Sequence, residues 1–222
     1  MFTPTGYFAA AAGPATDPDA DAYIAEVLIQ GGTISSPVQS AIQAFYTGLK
    51  ADGLYSKLAY MYPFFGGTAA AHSVSGIAPT TVAHIITWNG ELTLARAHTS
   101  TGASTLLGSG YGDISLAPAS IHPAYNDLAM GVYVVQGTYN DRGFTIGKQA
   151  NGASLPRYQI NLPYDNDNSY FYVGSTIINN ASTIGHNGIC YIGSALGTSQ
   201  VLYQNGSSFA TGTPSGGITT ED

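Results

Sequence analysis

From about residue 74 onward, short β-branched and aromatic runs alternate with turn signals, and no segment there carries a helical period. Runs of this length cannot build a helical core, so most of the chain is confined to a mainly β fold of antiparallel strands. Asn-Gly pairs at 89–90, 151–152, 187–188 and 205–206 mark corners, because both residues tolerate the positive φ of a tight hairpin turn. The pair at 89–90 stands between His84-Ile85-Ile86-Thr87-Trp88 and Glu91-Leu92-Thr93-Leu94-Ala95, and that flanking predicts a hairpin. Further strands are predicted over 129–136, 143–148, 157–161, 169–174, 189–193 and 200–204.

The front of the chain reads differently. Residues 1–16 are rich in Ala, Gly, Pro and Thr without periodicity, which suits an N-terminal arm or linker. Asp17-Pro18-Asp19 sets a capping side chain before a proline at the first helical position, and Gly31-Gly32 closes the helix that follows, over about 18–30. Ser36-Pro37 repeats the start signal. Val38, Ile42, Phe45 and Leu49 then form a helical stripe that ends at Gly53, with one more helical turn over 54–60. The expected organisation is an arm at 1–16, a helical segment at 17–62, a β-sandwich at 63–206 and a flexible or extended C-terminal tail at 207–222.

With 222 residues, one main domain is expected. Charged residues make up only 9%, far below the roughly 25% of an average soluble domain. Gly, Tyr, Ser, Thr and Asn must solvate the surface instead, as suits a permanent assembly. Six Lys plus Arg against 13 Asp plus Glu leave a net charge of −7, which opposes binding to a phosphate backbone. The single cysteine, Cys190, excludes an intrachain disulfide and reads as a small apolar residue in a strand. Neither a secretory leader nor a membrane-inserting segment is expected.

Several segments carry a resemblance. They are Asp17-Pro18-Asp19-Ala20, the run from Leu49 to Lys57, Tyr62-Pro63-Phe64-Phe65-Gly66-Gly67-Thr68-Ala69-Ala70-Ala71-His72, Gly110-Tyr111-Gly112-Asp113, and Tyr125-Asn126-Asp127-Leu128-Ala129-Met130-Gly131-Val132-Tyr133-Val134. In this order they resemble the concanavalin A-like, laminin-G-type domains of tail-fibre and other structural proteins of tailed bacteriophages. The likeness spans about residues 17–205, and its most specific part is Tyr-Pro-Phe-x-Gly-Gly after a helix. It implies an antiparallel jelly-roll sandwich behind a short helical pair, and a place in a virion assembled in the host cytoplasm. It brings no catalytic residue with it. The family's domain continues with further strands where this chain, past Asn205-Gly206, enters a Gly/Ser/Thr tract. A sheet left open at that point would pair with a neighbouring copy, so a homo-oligomer, by analogy with fibres a trimer, is expected.

The side chains give little room for catalysis. Glycoside hydrolysis needs two facing carboxylates, but the glutamates are only Glu26, Glu91 and Glu221, leaving Asp113 with Asp127 or Asp141 as candidates. His72, His84, His98, His122 and His186 show no metal-ligand spacing. Asp165-Asn166-Asp167-Asn168 could offer oxygens to calcium, but a full site needs six or more, so an Asx-rich turn is the favoured reading and no cofactor is expected. Recognition remains. Tyrosine rings stack on the apolar faces of sugars while their hydroxyls bond, and Tyr139, Asn140, Asp141 and Tyr172 are the candidate carbohydrate-binding residues, with Tyr111, Tyr170 and Trp88 beside them. The expected function is a non-enzymatic virion structural subunit (fibre, tail or capsid-decorating) that contacts other virion proteins. The alternatives are an adhesin for host surface glycans and, less favoured, a glycan-degrading enzyme.

Overall fold

Asp17 caps the first helix as its sequence position predicts. In the computed structural model its carboxylate accepts from the backbone N–H groups of Asp19 and Ala20 at 3.0 and 3.2 Å, and Pro18 opens α1, Pro18–Ile29. The structure describes residues 16–81, 84–94, 97–100, 102–103, 110–114, 127–134, 144–149, 157–162, 168–174, 176–181 and 189–213. The chain divides into two compact units. The first runs to Trp88 and takes in Leu94–Ala103, and the second comprises Asn89–Thr93 and the residues from Ser104 on.

In the first unit α1 packs on α2, Ser36–Ala51, through Tyr23, Ile24, Val27, Ile42 and Tyr46. The stripe expected on α2 is rotated slightly. Phe45 is 45% exposed while its neighbour Tyr46 is fully buried, because the Tyr46 hydroxyl reaches inward to donate to the Gly76 carbonyl at 2.8 Å. Gln43 ties the two helices together, accepting from the Asp17 N–H at 2.6 Å and donating to the Asp21 carboxylate at 2.7 Å. The Lys50 ammonium adds ion pairs to Asp17 at 2.7 Å and Asp19 at 2.5 Å.

Beyond a single 3-10 turn at Tyr55–Lys57 the chain reaches a segment with left-handed backbone at Phe64 (φ 56°), Gly66 (φ 107°) and Gly67 (φ 74°). Glycine is required at 66 for a second reason: a Cβ there would lie 2.7 Å from both Ala71 Cβ and Val27 Cγ1. The short helix α3, Ala69–His72, follows, capped by the Thr68 hydroxyl on the Ala71 N–H. The hairpin expected at Asn89-Gly90 does not form. Strand β1, Thr87–Asn89, runs instead into a 3-10 turn at Gly90–Thr93. Burial of Leu92 and the Thr93 hydroxyl's bond to the Gly90 carbonyl at 2.8 Å favour the turn over alternation. The next two strands, β2 (His98–Thr99) and β3 (Gly102–Ala103), pair antiparallel.

Strand β4, Tyr111–Asp113, opens the described part of the second unit beyond the turn. Two antiparallel four-stranded sheets make up its body. One has the order β12-β11-β10-β5 and the other β6-β7-β8-β9. Here β5 is Asp127–Val134, β6 Phe144–Gln149, β7 Arg157–Leu162, β8 Asn168–Gly174 and β9 Thr176–Ala181. Strands β10, β11 and β12 are Ile189–Leu196, Ser199–Gln204 and Ser207–Gly212. The architecture is thus mainly β and antiparallel, with three α-helices among the described residues.

Alternation decides which face each strand buries. Ile160, Phe171, Val173 and Ile178 from one sheet meet Tyr191, Ala195 and Leu202 from the other in a shared core, with Leu128, Met130 and Val132 packed against it. Six predicted strands correspond to β5, β6, β7, β8, β10 and β11, within about two residues except at the end of β10. Two are additional. Ser207–Gly212, expected as the start of a flexible or extended tail, is extended and paired with β11, so the chain does add a strand after Asn205-Gly206. That corner is a tight turn with φ 48° and 80°, and Asn205 locks it twice: its N–H donates to the Cys190 carbonyl at 2.8 Å and its side-chain oxygen accepts from the Cys190 N–H at 2.9 Å. The pairs at 151–152 and 187–188 lie outside the described residues.

Candidate functional site

Strand β8 carries two tyrosines on the face away from the core. Phe171 and Val173 are buried, so Tyr170 and Tyr172, one residue out of phase, stand on the opposite side of the sheet, both half-buried. Their ring centroids are 6.0 Å apart and the planes lie within 28° of parallel. In register, Tyr172 is flanked by Gln159 on β7 and Ile177 on β9, and Tyr170 by Asn161 and Asn179. Gln159 is buried, while Ile177 and Asn179 are exposed. Aromatic faces next to primary amides and an aliphatic side chain can hold a ligand that has both apolar faces and hydroxyls, without calling on ionic charge.

Of the residues expected to bind carbohydrate, Tyr172 is therefore placed on this strip, with Tyr170 as its neighbour. Tyr139, Asn140 and Asp141 lie outside the described residues, as do 165–167 of the Asx-rich run. Tyr111 is 62% exposed on β4. Trp88 is engaged structurally: its indole N–H donates to the Ala69 carbonyl at 2.7 Å and its ring packs on Phe64 and His98. Cys190 sits half-buried on β10, and burial raises its thiol pKa. Among the described residues no group of three or more His, Cys, Asp or Glu is placed to hold a metal ion.

A second constellation, in the first unit, was not legible in the sequence. The end of α3 and strand β2 bring His72 and His98 together, Nδ1 to Nδ1 at 2.9 Å, with His72 fully buried and His98 4% exposed. Twenty-six residues separate them, so no local spacing signals the contact. His72 Nε2 accepts from the Gly67 N–H at 3.2 Å, and the rings of Phe64 and Trp88 close around the pair. Burial first, and then the neighbouring His98, push the His72 pKa down to about 4, against a backbone hydrogen bond at Thr99 that acts the other way. At neutral pH His72 is therefore uncharged.

No protein-family model matches the chain, and neither a curated protein nor a solved structure shows significant similarity to it.

Proposed function

We propose that this chain is a non-enzymatic structural subunit of a bacteriophage particle, in a fibre, the tail or the capsid decoration, and that its two-sheet unit is a concanavalin A-like jelly roll recognising neutral glycans. The observation that carries the recognition part is the Tyr170–Tyr172 strip on the outer side of β8, bordered by Gln159, Asn179 and Ile177. A flat pyranose face covers an aromatic ring as water cannot, and adjacent amides bond its hydroxyls. The virion part rests on the resemblance of the Tyr62–His72 and Tyr125–Val134 segments. It rests also on a surface whose solubility derives from neutral hydrogen bonding, which suits permanent contact with other virion proteins and with further copies of the chain.

The test is binding of the labelled full chain to a panel of neutral and acidic bacterial surface polysaccharides, with and without calcium. Saturable binding to a neutral glycan that falls roughly ten-fold or more in Tyr172→Ala supports the reading, since an aromatic contact contributes about 0.5–1.5 kcal/mol beyond its buried area. Binding that Tyr170→Ala and Tyr172→Ala both leave unchanged refutes the assignment of this face. Absence of glycan binding would leave a purely structural subunit. Detection of the protein in purified particles by mass spectrometry tests the virion placement separately, and a monomeric mass in light scattering at micromolar concentration would refute the oligomer.

A further inference from the structure

One backbone donor fixes the hydrogen-bond directions around the buried histidines. The Gly67 N–H points at His72 Nε2, so that nitrogen presents its lone pair. Neutral His72 then carries its proton on Nδ1 and donates it to His98 Nδ1. The receiving nitrogen, His98 Nδ1, must be unprotonated, which puts the ring proton of His98 on its own Nε2. Both lone-pair nitrogens of the pair are thus already acceptors.

A proton arriving on His72 Nε2 turns the acceptor of Gly67 into a donor. That hydrogen bond becomes a donor–donor clash, and a cation is placed where almost no water reaches, favoured only by a backbone hydrogen bond at Thr99. Gly66 is held separately, by the Thr33 N–H on its carbonyl at 3.0 Å, and Tyr62 by its hydroxyl on the His84 carbonyl at 2.9 Å, so the part that would give way is local to Gly67 and Phe64. Phe64, Gly66 and Gly67 all have positive φ, a conformation that costs energy for Phe64 in particular and persists only while neighbours enforce it.

We propose that His72 and His98 form an acid-triggered latch in which protonation of His72 releases Gly67 from the end of α3. Few groups could offset the new charge. The 62–67 segment contributes Tyr62, which burial keeps neutral by raising its pKa to about 12. Strand β1 contributes Trp88, β2 contributes His98 and the backbone of Thr99, and β3 contributes Gly102 and Ala103. Among the described residues no carboxylate acts on His72. Opening further exposes Phe64 and the ring face of Trp88, which are half-buried against each other.

Trp88 is the sole tryptophan and its ring centroid is 4.9 Å from that of His98, so its fluorescence reports on the latch directly. The full chain would be titrated from neutral pH down to about pH 4, following Trp88 emission and the ring and amide NMR signals of His72 and Gly67. The expected result is a reversible red shift with a midpoint below the ordinary histidine value, accompanied by movement of the Gly67 amide. His72→Gln should lose it, because glutamine can donate to His98 and accept from Gly67 without titrating. The same transition in His72→Gln would overturn the latch. So would a wild-type His72 ring that titrates while the Gly67 amide and Trp88 emission stay still, a readout that needs no variant to fold.

Discussion

Gly193 lies on the inward face of β10, directly over the ring of Phe171 in the opposing sheet. A methyl group built on it would stand 2.6, 2.7 and 3.0 Å from three ring carbons, whereas carbon atoms prefer about 3.5–4.0 Å. In Gly193→Ala the ring would have to retreat by about 1 Å. Phe171 is fully buried among Ile160, Val173, Tyr191 and Leu202, and a closed core of this kind has little room to yield. Two effects oppose each other. Alanine in a strand recovers roughly 0.5–1 kcal/mol of backbone entropy relative to glycine, and overpacking a core costs roughly 1–3 kcal/mol. The clash involves a rigid ring rather than the end of a flexible chain, so the second effect wins and a net loss of about 1–2 kcal/mol is expected. Urea unfolding followed by far-UV circular dichroism measures it, with Phe171→Leu in the Gly193→Ala background restoring part of the loss by vacating the ring's edge. A Gly193→Ala variant more stable than wild type, or a double variant with additive losses, would refute the face-to-face contact of the two sheets at this point.

Removing the helix cap in Asp17→Ala should cost about 1–2 kcal/mol, mostly from the two backbone N–H groups left unpaired, since the partly exposed Lys50 contact adds little; a loss of stability below a few tenths of a kcal/mol in thermal unfolding would contradict it. Burial acts to raise the Asp17 pKa, but the hydrogen bond from Lys50 and those from Ala20 and Asp19 overcome it and hold the carboxyl below its usual value. Its stabilisation is therefore complete above the unfolded carboxylate range and is lost as pH falls through the depressed value. Tyr46→Phe takes the hydroxyl away from the buried Gly76 carbonyl and should destabilise the first unit by about 1–3 kcal/mol in urea titrations; an unchanged midpoint would refute it. His72 has the opposite linkage to a paired histidine. Its folded pKa of about 4 lies below its ordinary 6.5, so the unfolded chain takes up the proton first. Stability is full above about pH 6.5 and declines toward pH 4 by on the order of 3 kcal/mol; denaturation midpoints for wild type and His72→Gln that run parallel across that window would refute it.

The sequence announced elements where local chemistry decides them. Asp17-Pro18 starts its helix through a side-chain cap and proline geometry, which act within one turn, whereas at Ser36-Pro37 proline geometry acts without a cap, since Ser35 is the capping position and its side chain makes no capping bond. Phe171 and Val173 alternate with two tyrosines clearly enough to orient β8. What escaped was settled at a distance. Asn89-Gly90 has a hairpin's residues, but Leu92 is buried and the chain turns helical instead. Ser207–Gly212 lacks an apolar run, yet it becomes a strand because Asn205 and Gly206 fold it back along β11. The tyrosine strip was half legible, through Tyr172, while its register with Gln159 and Asn179 required three strands to be aligned. The histidine pair offered no signal, since only folding brings α3 and β2 together.

The order of the strands also sets an order of assembly. In β6-β7-β8-β9 each strand pairs with its neighbour in the chain, so every loop to be closed is short and the sheet can form locally and early. β5 differs: its partner is β10, with Val134 opposite Ile189, and the whole meander must be made before that pairing closes. During synthesis β5 would emerge first and wait longest, with the apolar residues Leu128, Met130 and Val132 uncovered. That interval, more than any weakness of the finished fold, is where a newly made chain is most exposed to association with another copy.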